Sequence, residues 1–342
     1  MPAALPIAMT AGDPAGIGPE IVVRAVARRL EQSAGGAPLR LYGDPAWFER
    51  TAGAIGLDWA GLTRSAGSAL TLDACAPVPG DLQLGRLDAR AGDAAYRAVR
   101  RAALDAVAGR VRAVVTAPLN KAALNMAGHD YPGHTELLAE IAGGVPVRMM
   151  LANDELRTIL VTIHLPLRDA IAALDLSSIL VTIRLIDAFL RRSGIERPRI
   201  AVAGLNPHAG EGGLLGREEI DLIAPAIERA RRDGIDASGP HPPDTVFMRA
   251  RGFTIYDVVV AMYHDQGLIP VKYLGLDDGV NITVGLPFVR TSPDHGTAFD
   301  IAAKRQADPR SLLAAIRFAE QLSAAATAVP AHRPTTRPQD RR

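Results

Sequence analysis

Three of the eight histidines fall just after short apolar runs that read as β-strands. His164 follows the run 158–163, His208 follows 199–204 in Leu-Asn-Pro-His-Ala-Gly, and His264 follows 256–262 in Tyr-His-Asp-Gln-Gly. In an α/β sheet the carboxyl ends of parallel strands are where the ligand crevice forms. Three imidazoles brought there could hold one divalent cation and leave coordination positions open to a substrate. Imidazole favours zinc or cobalt over magnesium by ligand type, and availability then decides. A single histidine in a turn would as readily satisfy backbone groups. The repetition of position carries the metal reading, since no HExxH-type spacing is present.

A second set of residues could hold an anion. Gly133-His134-Thr135-Glu136 precedes the apolar stretch 137–141, so the Thr135 hydroxyl either caps a helix or meets an anion at its N-terminus. Lys272, Asn281 and Arg290 lie within nineteen positions beside strand ends. Arg offers a planar fork to carboxylate or phosphate, and Lys a compact cation. Taken singly each is an ordinary surface residue; with the histidines they would form an anion-plus-metal pocket. Gly12-Asp13-Pro14-Ala15-Gly16-Ile17-Gly18-Pro19-Glu20 leads from the first strand into a helix, with Pro19 suited to the first helical position. Its N–H groups could meet an anion or a cofactor, yet it is neither GxGxxG nor a Walker A loop. A tight strand-to-helix turn accounts for its glycines equally well.

These residues need a scaffold. Apolar runs at 5–10, 39–42, 113–116, 158–163, 199–204, 256–262 and 280–284 predict strands buried on both faces. Helical patterns cover 19–29, 93–108, 177–192, 218–232 and 309–326. Their alternation predicts an α/β fold with a mostly parallel sheet. At roughly 150 residues per domain, 342 residues imply about two domains, with crossings near 130–133 and 285–287. Aromatics are only 4%, so Ala, Leu, Val and Ile must do most of the packing.

Composition narrows the class. The net charge is +1, and the last fourteen residues carry a surplus of three positive charges, so the rest of the chain is slightly acidic. A nucleic-acid binder would show a basic stripe on its folded part, and none is visible. The lone Cys75 excludes an intrachain disulfide or a thiolate cluster. No apolar run approaches the roughly 18–20 residues that span a bilayer, and no signal-peptide pattern opens the chain. A cytoplasmic protein with no membrane or nucleic-acid partner is expected.

Long motifs then occur in order. The Gly12–Glu20 segment is followed by Thr-Ala-Pro-Leu-Asn-Lys (116–121), Gly-His-Thr-Glu (133–136) and Leu-Asn-Pro-His-Ala-Gly-Glu-Gly-Gly (205–213). Ala-Met-Tyr-His-Asp-Gln-Gly (261–267) and Val-Asn-Ile-Thr-Val-Gly-Leu-Pro-Phe-Val-Arg-Thr-Ser (280–292) complete the series. Over about residues 5 to 326 the chain strongly resembles the 4-hydroxythreonine-4-phosphate dehydrogenase family of vitamin B6 biosynthesis. The resemblance implies a two-lobed α/β/α subunit like isocitrate and isopropylmalate dehydrogenases. One lobe would comprise 1–130 with 285–328 on the cofactor side, and the other 131–284 with metal, substrate and dimer contacts. A disordered basic tail, 329–342, would follow.

It also implies a homodimer with a shared active site. One divalent metal (Zn, Co or Mg) would be held by His164, His208 and His264, the last from the partner subunit. Substrate would be held by His134, Thr135, Lys272, Asn281 and Arg290. NAD or NADP would lie near Ser292, Asp294, His295, Gly296 and Thr297. The implied reaction oxidises the C3 hydroxyl of 4-hydroxythreonine-4-phosphate with decarboxylation to 3-amino-2-oxopropyl phosphate. Lys272 and Asp244 are the candidate general bases, Asp244 being equally readable as a helix cap.

Two features depart from the family pattern or divide it. Ala303-Lys304-Arg305 stands where Gly-Lys-Gly is usual, which limits backbone conformations with φ > 0. Tyr131-Pro-Gly-His-Thr-Glu-Leu-Leu-Ala-Glu and His-Gly-Thr-Ala-Phe-Asp-Ile-Ala look more like the sister branch. That branch acts on 4-phospho-threonate or 4-phospho-erythronate and gives dihydroxyacetone phosphate. Two rivals from other classes use the same residues: a metal-dependent phosphohydrolase, with metal-bound water as nucleophile, and a non-catalytic phosphosugar-acid binding protein.

Overall fold

Runs of Val, Ile and Ala too short for a helix and apolar on both sides form the centre of this chain. The computed structural model describes residues 4–32, 36–275 and 278–324; the tail expected at 329–342 lies outside them. The strands are β1 (Ile7–Thr10), β2 (Leu39–Gly43), β3 (Leu70–Ala74), β4 (Ala113–Thr116), β5 (Arg148–Ala152) and β6 (Arg157–Leu160). They continue with β7 (Ile200–Ala203), β8 (Ala237–His241), β9 (Val258–Ala261), β10 (Val280–Val284) and β11 (Val289–Pro293). All residues of β1, β4, β7 and β9 are buried.

The strands join one sheet in the order β3-β2-β1-β4-β11-β10-β5-β6-β9-β7-β8. Its two ends are parallel blocks. Three antiparallel pairings, β11 with β10, β10 with β5 and β5 with β6, connect them, so the blocks run in opposite directions. The fold is therefore α/β with a mostly parallel sheet, as the sequence predicts. Strands from 1–130 and 289–293 fill one end, and strands from 148–284 the other.

Side chains alternate across a sheet, and here the two faces differ. One face carries a continuous core running from Ile7 and Met9 through Val115, Ile282 and Met150 to Val202 and Val260. On the other face two separate clusters form. Ala8 and Val114 pack beneath the helices Ala89–Val107 and His134–Ile141. Leu151, Leu160, Val259 and Ala261 pack near the helices Val246–Ala250 and His264–Leu274. Between them, on that face, lie Thr116, Arg290, Asn281 and Thr283. Each buried aliphatic side chain contributes roughly 1.5–3 kcal/mol, so interrupting the core here forgoes stability.

Helix ends follow local chemistry. Leu176–Arg192 starts with a capping box in which Asp175 accepts the Ser178 N–H at 2.7 Å, and Arg191 and Arg192 close its last turn. The helix predicted over 218–232 is instead a π-turn, Glu219–Ile223, followed by an α-helix, Ala224–Arg232. Pro225 explains the change, because it lacks an N–H and its ring crowds the carbonyl four residues back. Among the described residues no helix is long and apolar enough to cross a membrane.

Candidate active site

Arg290, on β11, points into the gap between the two apolar clusters and is only 3% exposed. Nη1 donates to Thr283 Oγ1 at 3.1 Å and Nη2 to Thr116 Oγ1 at 2.6 Å, while Nε is buried without a partner. Among the described residues no carboxylate forms an ion pair with it. Burial holds the guanidinium pKa down at about 10, with Glu136 acting in the opposite direction. A buried cation costs several kcal/mol unless it is paired. Phosphate or carboxylate is the group that would relieve that cost through a charge-assisted bond.

The helix His134–Ile141 covers this face, with Leu137 and Leu138 in the neighbouring cluster. Gly133 is its N-cap and no side chain caps it. Thr135, expected as a possible cap, lies inside the first turn instead, because the helix begins earlier than the apolar pattern. His134 Nε2 is buried without a partner. Burial first, then Arg290 and Lys121, push its pKa well below the usual range, so the ring is neutral near pH 7. Lys121 opens the helix Lys121–Met126 behind the Asn120 cap. A Cβ built on Gly133 would stand 3.9 Å from Lys121 Nζ and 3.6 Å from Glu136 Oε2.

The histidines follow three neighbouring strands, β6, β9 and β7. The His164 and His264 rings lie 5.6 Å apart, inclined at 43°. His264 Nδ1 is 2.7 Å from Asp265 Oδ1. Burial, then Lys121 and His264, lower the His164 pKa against the pull of Glu136. Lys121 and Glu136 thus join the imidazole pair to the Arg290 pocket, making one site. His208 is exposed and stands apart. Among the described residues no three His, Cys, Asp or Glu side chains are placed to hold a metal ion. The resemblance assigns His264 to a neighbouring subunit; within this chain its ring lies beside that of His164.

His208 opens a left-handed turn. His208, Ala209, Gly210, Glu211 and Gly212 have φ of 53°, 53°, 77°, 45° and 66°. Each non-glycine residue there costs roughly 1–2 kcal/mol, and such strain clusters at functional sites. His164 also has a positive φ, 52°. Gln266, buried, accepts from Met262 N at 2.7 Å and donates to Gly204 O at 2.7 Å. It thereby ties the segment carrying His264 to the one carrying His208.

The remaining candidates divide. Lys272 Nζ is 2.8 Å from Asp294 Oδ2, which joins one candidate base to the expected cofactor segment. Asn281 faces Ser292 across the β10–β11 ladder. Thr297 O accepts the Ile17 N–H at 3.0 Å, and a Cβ on Gly16 would lie 2.8 Å from that oxygen. His295 is exposed, with Nδ1 3.0 Å from Gly296 O. Asp244 is exposed and caps no helix, since the N-cap of Val246–Ala250 is Thr245, without a side-chain bond.

The first loop uses its own donors. Ala15 N donates to Asp13 Oδ1 at 2.8 Å, and Gly16 N to Asp13 O at 3.1 Å. It is a strand-to-helix turn that seats the 297 segment. Asp13 is fully buried with Oδ2 unpartnered, and burial, reinforced by Asp88, pushes its carboxyl up to about 6. Of the two missing family glycines, only position 305 needs the left-handed region, Arg305 having φ 55°. Lys121, Thr116 and Thr283 were not among the sequence candidates, although Lys121 ends one of the quoted motifs.

A mostly parallel α/β sheet with a buried, unpaired cation beside an imidazole pair has the features of a site for a small anion. Residues 37–319 match the model of the family described as Pyridoxal phosphate biosynthetic protein PdxA. A "4-hydroxythreonine-4-phosphate dehydrogenase" of Beijerinckia indica is 52% identical over 327 residues, 93% of this chain and 95% of that one. A "D-threonate 4-phosphate dehydrogenase" of Salmonella typhimurium is 48% identical over 326 residues, 93% of this chain and 98% of that one. The crystal structure of a 4-hydroxythreonine-4-phosphate dehydrogenase from Klebsiella pneumoniae superposes with a TM-score of 0.84 at 45% identity, covering 94% of this chain and all of the other. The chain belongs to the PdxA family. Its relatives are named dehydrogenases, and it is an enzyme of that kind.

Arg305→Gly removes a left-handed non-glycine residue and should raise unfolding free energy by about 1 kcal/mol in urea titration. Asp13 binds its proton more tightly folded (about 6) than at its ordinary 3.8. Stability should therefore fall by about 3 kcal/mol as pH rises from roughly 4 to 6, then level off. Asp13→Asn should abolish that part of the slope in melts recorded across the interval.

Proposed function

We propose that this chain is a metal-dependent NAD(P) dehydrogenase of 4-phosphorylated hydroxy acids. The substrate would be 4-hydroxythreonine-4-phosphate, oxidised at C3 and decarboxylated to 3-amino-2-oxopropyl phosphate in pyridoxal phosphate biosynthesis. The observation that carries this is the buried Arg290 guanidinium with no carboxylate, facing the unpartnered His134 Nε2. The relative at 52% identity bears that substrate's name.

Arg290, Lys121 and His134 bind the substrate's phosphate or carboxylate, and Thr135 and Asn281 stand beside them. His164 and His208, with the partner subunit's His264, would hold a divalent cation; burial, the first cause of the lowered His164 pKa, favours the neutral, ligating imidazole. Such an ion, when bound, supplies Lewis-acid polarisation of the C3 hydroxyl. Ser292, Asp294, His295, Gly296 and Thr297 would hold the nicotinamide cofactor, which would supply the hydride acceptor. Lys272, 2.8 Å from Asp294 Oδ2, would take the hydroxyl proton at Nζ only after passing its own proton to that carboxylate or to solvent, and as the ammonium would stabilise enolate charge. Asp244 is the alternative base.

A shared dimer site would bring the third donor from a second copy. Exposed apolar side chains on the segments that carry the histidines support it: Leu165 (47% exposed), Leu214 (80%), Ile269 (63%) and Tyr273 (89%). A second copy is the surface that would cover them. The two lobes would be 1–130 with 285–328, and 131–284. A cytoplasmic setting fits this chemistry.

The sister-branch reading, 4-phospho-D-threonate or 4-phospho-D-erythronate giving dihydroxyacetone phosphate, is favoured by the relative at 48% identity and by the Tyr131–Glu140 motif. Reduced-nicotinamide absorbance with NAD or NADP, divalent metal and each phosphorylated acid in turn decides between them. Reduction with the amino acid alone supports B6 synthesis. Reduction with the sugar acids alone supports the sister branch, and no reduction with any of them overturns both.

Arg290→Ala should raise KM about 100-fold with a smaller change in kcat, as on losing a charge-assisted contact to an anion. His208→Ala should abolish zinc binding by calorimetry while circular dichroism keeps the native signal. Full metal affinity in that variant would remove His208 from the donor set.

A further inference from the structure

Glu219 is 3% exposed and lies at the start of the π-turn Glu219–Ile223, where its carboxylate reaches back to the β7 exit. Oε1 accepts the backbone N–H groups of Leu205 and Asn206, both at 2.7 Å, and Oε2 accepts Asn206 Nδ2 at 2.9 Å. Among the described residues no Lys or Arg forms an ion pair with it. Its oxygens also pack against two glycines of the same segment. A Cβ on Gly204 would lie 3.1 Å from Oε1, and one on Gly210 2.7 Å from Oε2. Gly210 is the middle residue of the left-handed stretch 208–212. One buried carboxylate therefore grips the segment before His208 and the backbone just after it.

At the borders of the turn Ala209 N donates to Asn206 O at 3.1 Å, Leu214 N to Glu211 O at 3.3 Å and Leu215 N to Gly210 O at 3.1 Å. His208, Ala209 and Glu211 would each relax to negative φ if released. A loop of this kind keeps its shape only when its surroundings over-determine it. Glu218 adds one bond, Oε2 accepting from Asn206 Nδ2 at 2.7 Å, but does not reach the glycines.

We propose that Glu219 is a positioning residue for His208: its carboxylate locks the left-handed turn in the one conformation that presents this imidazole to the metal of the shared site. The inference rests on the metal reading above. It differs from a general stabilising role because the group held is the turn, and because glycine could replace the constraint.

The test uses the full-length protein and Co²⁺ as the metal probe. Glu219→Gln keeps the size but leaves one acceptor oxygen in place of two, so either the Leu205 and Asn206 N–H pair or Asn206 Nδ2 then meets a donor. Co²⁺ affinity should fall about 10- to 100-fold, the usual range for removing a residue that orients a ligand. The visible Co²⁺ spectrum should shift toward that of His208→Ala. In metal-free protein, hydrogen exchange at Ala209, Leu214 and Leu215 should accelerate while the helix Ala224–Arg232 keeps its protection. Adding Ala209→Gly and Glu211→Gly to Glu219→Gln should recover part of the affinity, since glycine adopts this backbone freely.

Unchanged exchange in the turn, or wild-type Co²⁺ affinity in Glu219→Gln, overturns the proposal. So does equal loss of protection throughout the helix Ala224–Arg232, which marks general destabilisation. If exchange accelerates as expected but His208→Ala binds Co²⁺ normally, the metal reading has failed and the positioning role falls with it.

Discussion

Arg290 sits on the strand where the sheet changes from parallel to antiparallel pairing, with β4 on one side and β10 on the other. Its guanidinium is buried between two apolar clusters and finds only threonine hydroxyls. A positive charge in that position is expensive, and the arrangement around it keeps it unneutralised. Glu136 tempers the charge without forming an ion pair, and His134 turns an unpartnered nitrogen inward. This one unsatisfied cation explains why the core is split on this face and continuous on the other.

The rest of the site depends on holding short loops against that fixed point. Lys121 and Glu136 link the arginine pocket electrostatically to His164. Gln266 links the His264 segment to the His208 segment through two backbone groups. Lys272 and Asp294 join the metal side to the expected cofactor segment, which rests on the first loop through Ile17 and Thr297. Most of these ties are single buried hydrogen bonds or ion pairs between segments far apart in sequence. Strain at His164, His208 and Arg305 is tolerated because such bonds leave the backbone no cheaper arrangement.

Much of the architecture was legible because strands buried on both faces must be apolar throughout. Runs such as 113–116 and 280–284 coincide with β4 and β10. Strands with exposed or polar residues escaped this test. β3 (Leu70–Ala74), β5 (Arg148–Ala152) and β8 (Ala237–His241) have mixed burial, and β11 (Val289–Pro293), though buried throughout, reads Val-Arg-Thr-Ser-Pro and is not apolar. The π-turn at Glu219 was hidden because a proline inside a helical pattern shows a disturbance without showing its form. The threonines holding Arg290 are ordinary in sequence; only register on neighbouring strands makes them a cradle.

The sequence by itself determined the fold class, the family motifs and the chemical types available, because hydrophobic patterning and residue type are local properties. It also placed each histidine after a strand. Which groups meet was decided by tertiary structure. Strand order set His164 beside His264, the left-handed turn after β7 decided where His208 stands, and pairing direction brought Arg290 to Thr116, whose sequence position is 174 residues away. Whether a charge is buried and unpaired depends on what packs around it from distant segments, so no stretch of sequence contains that information.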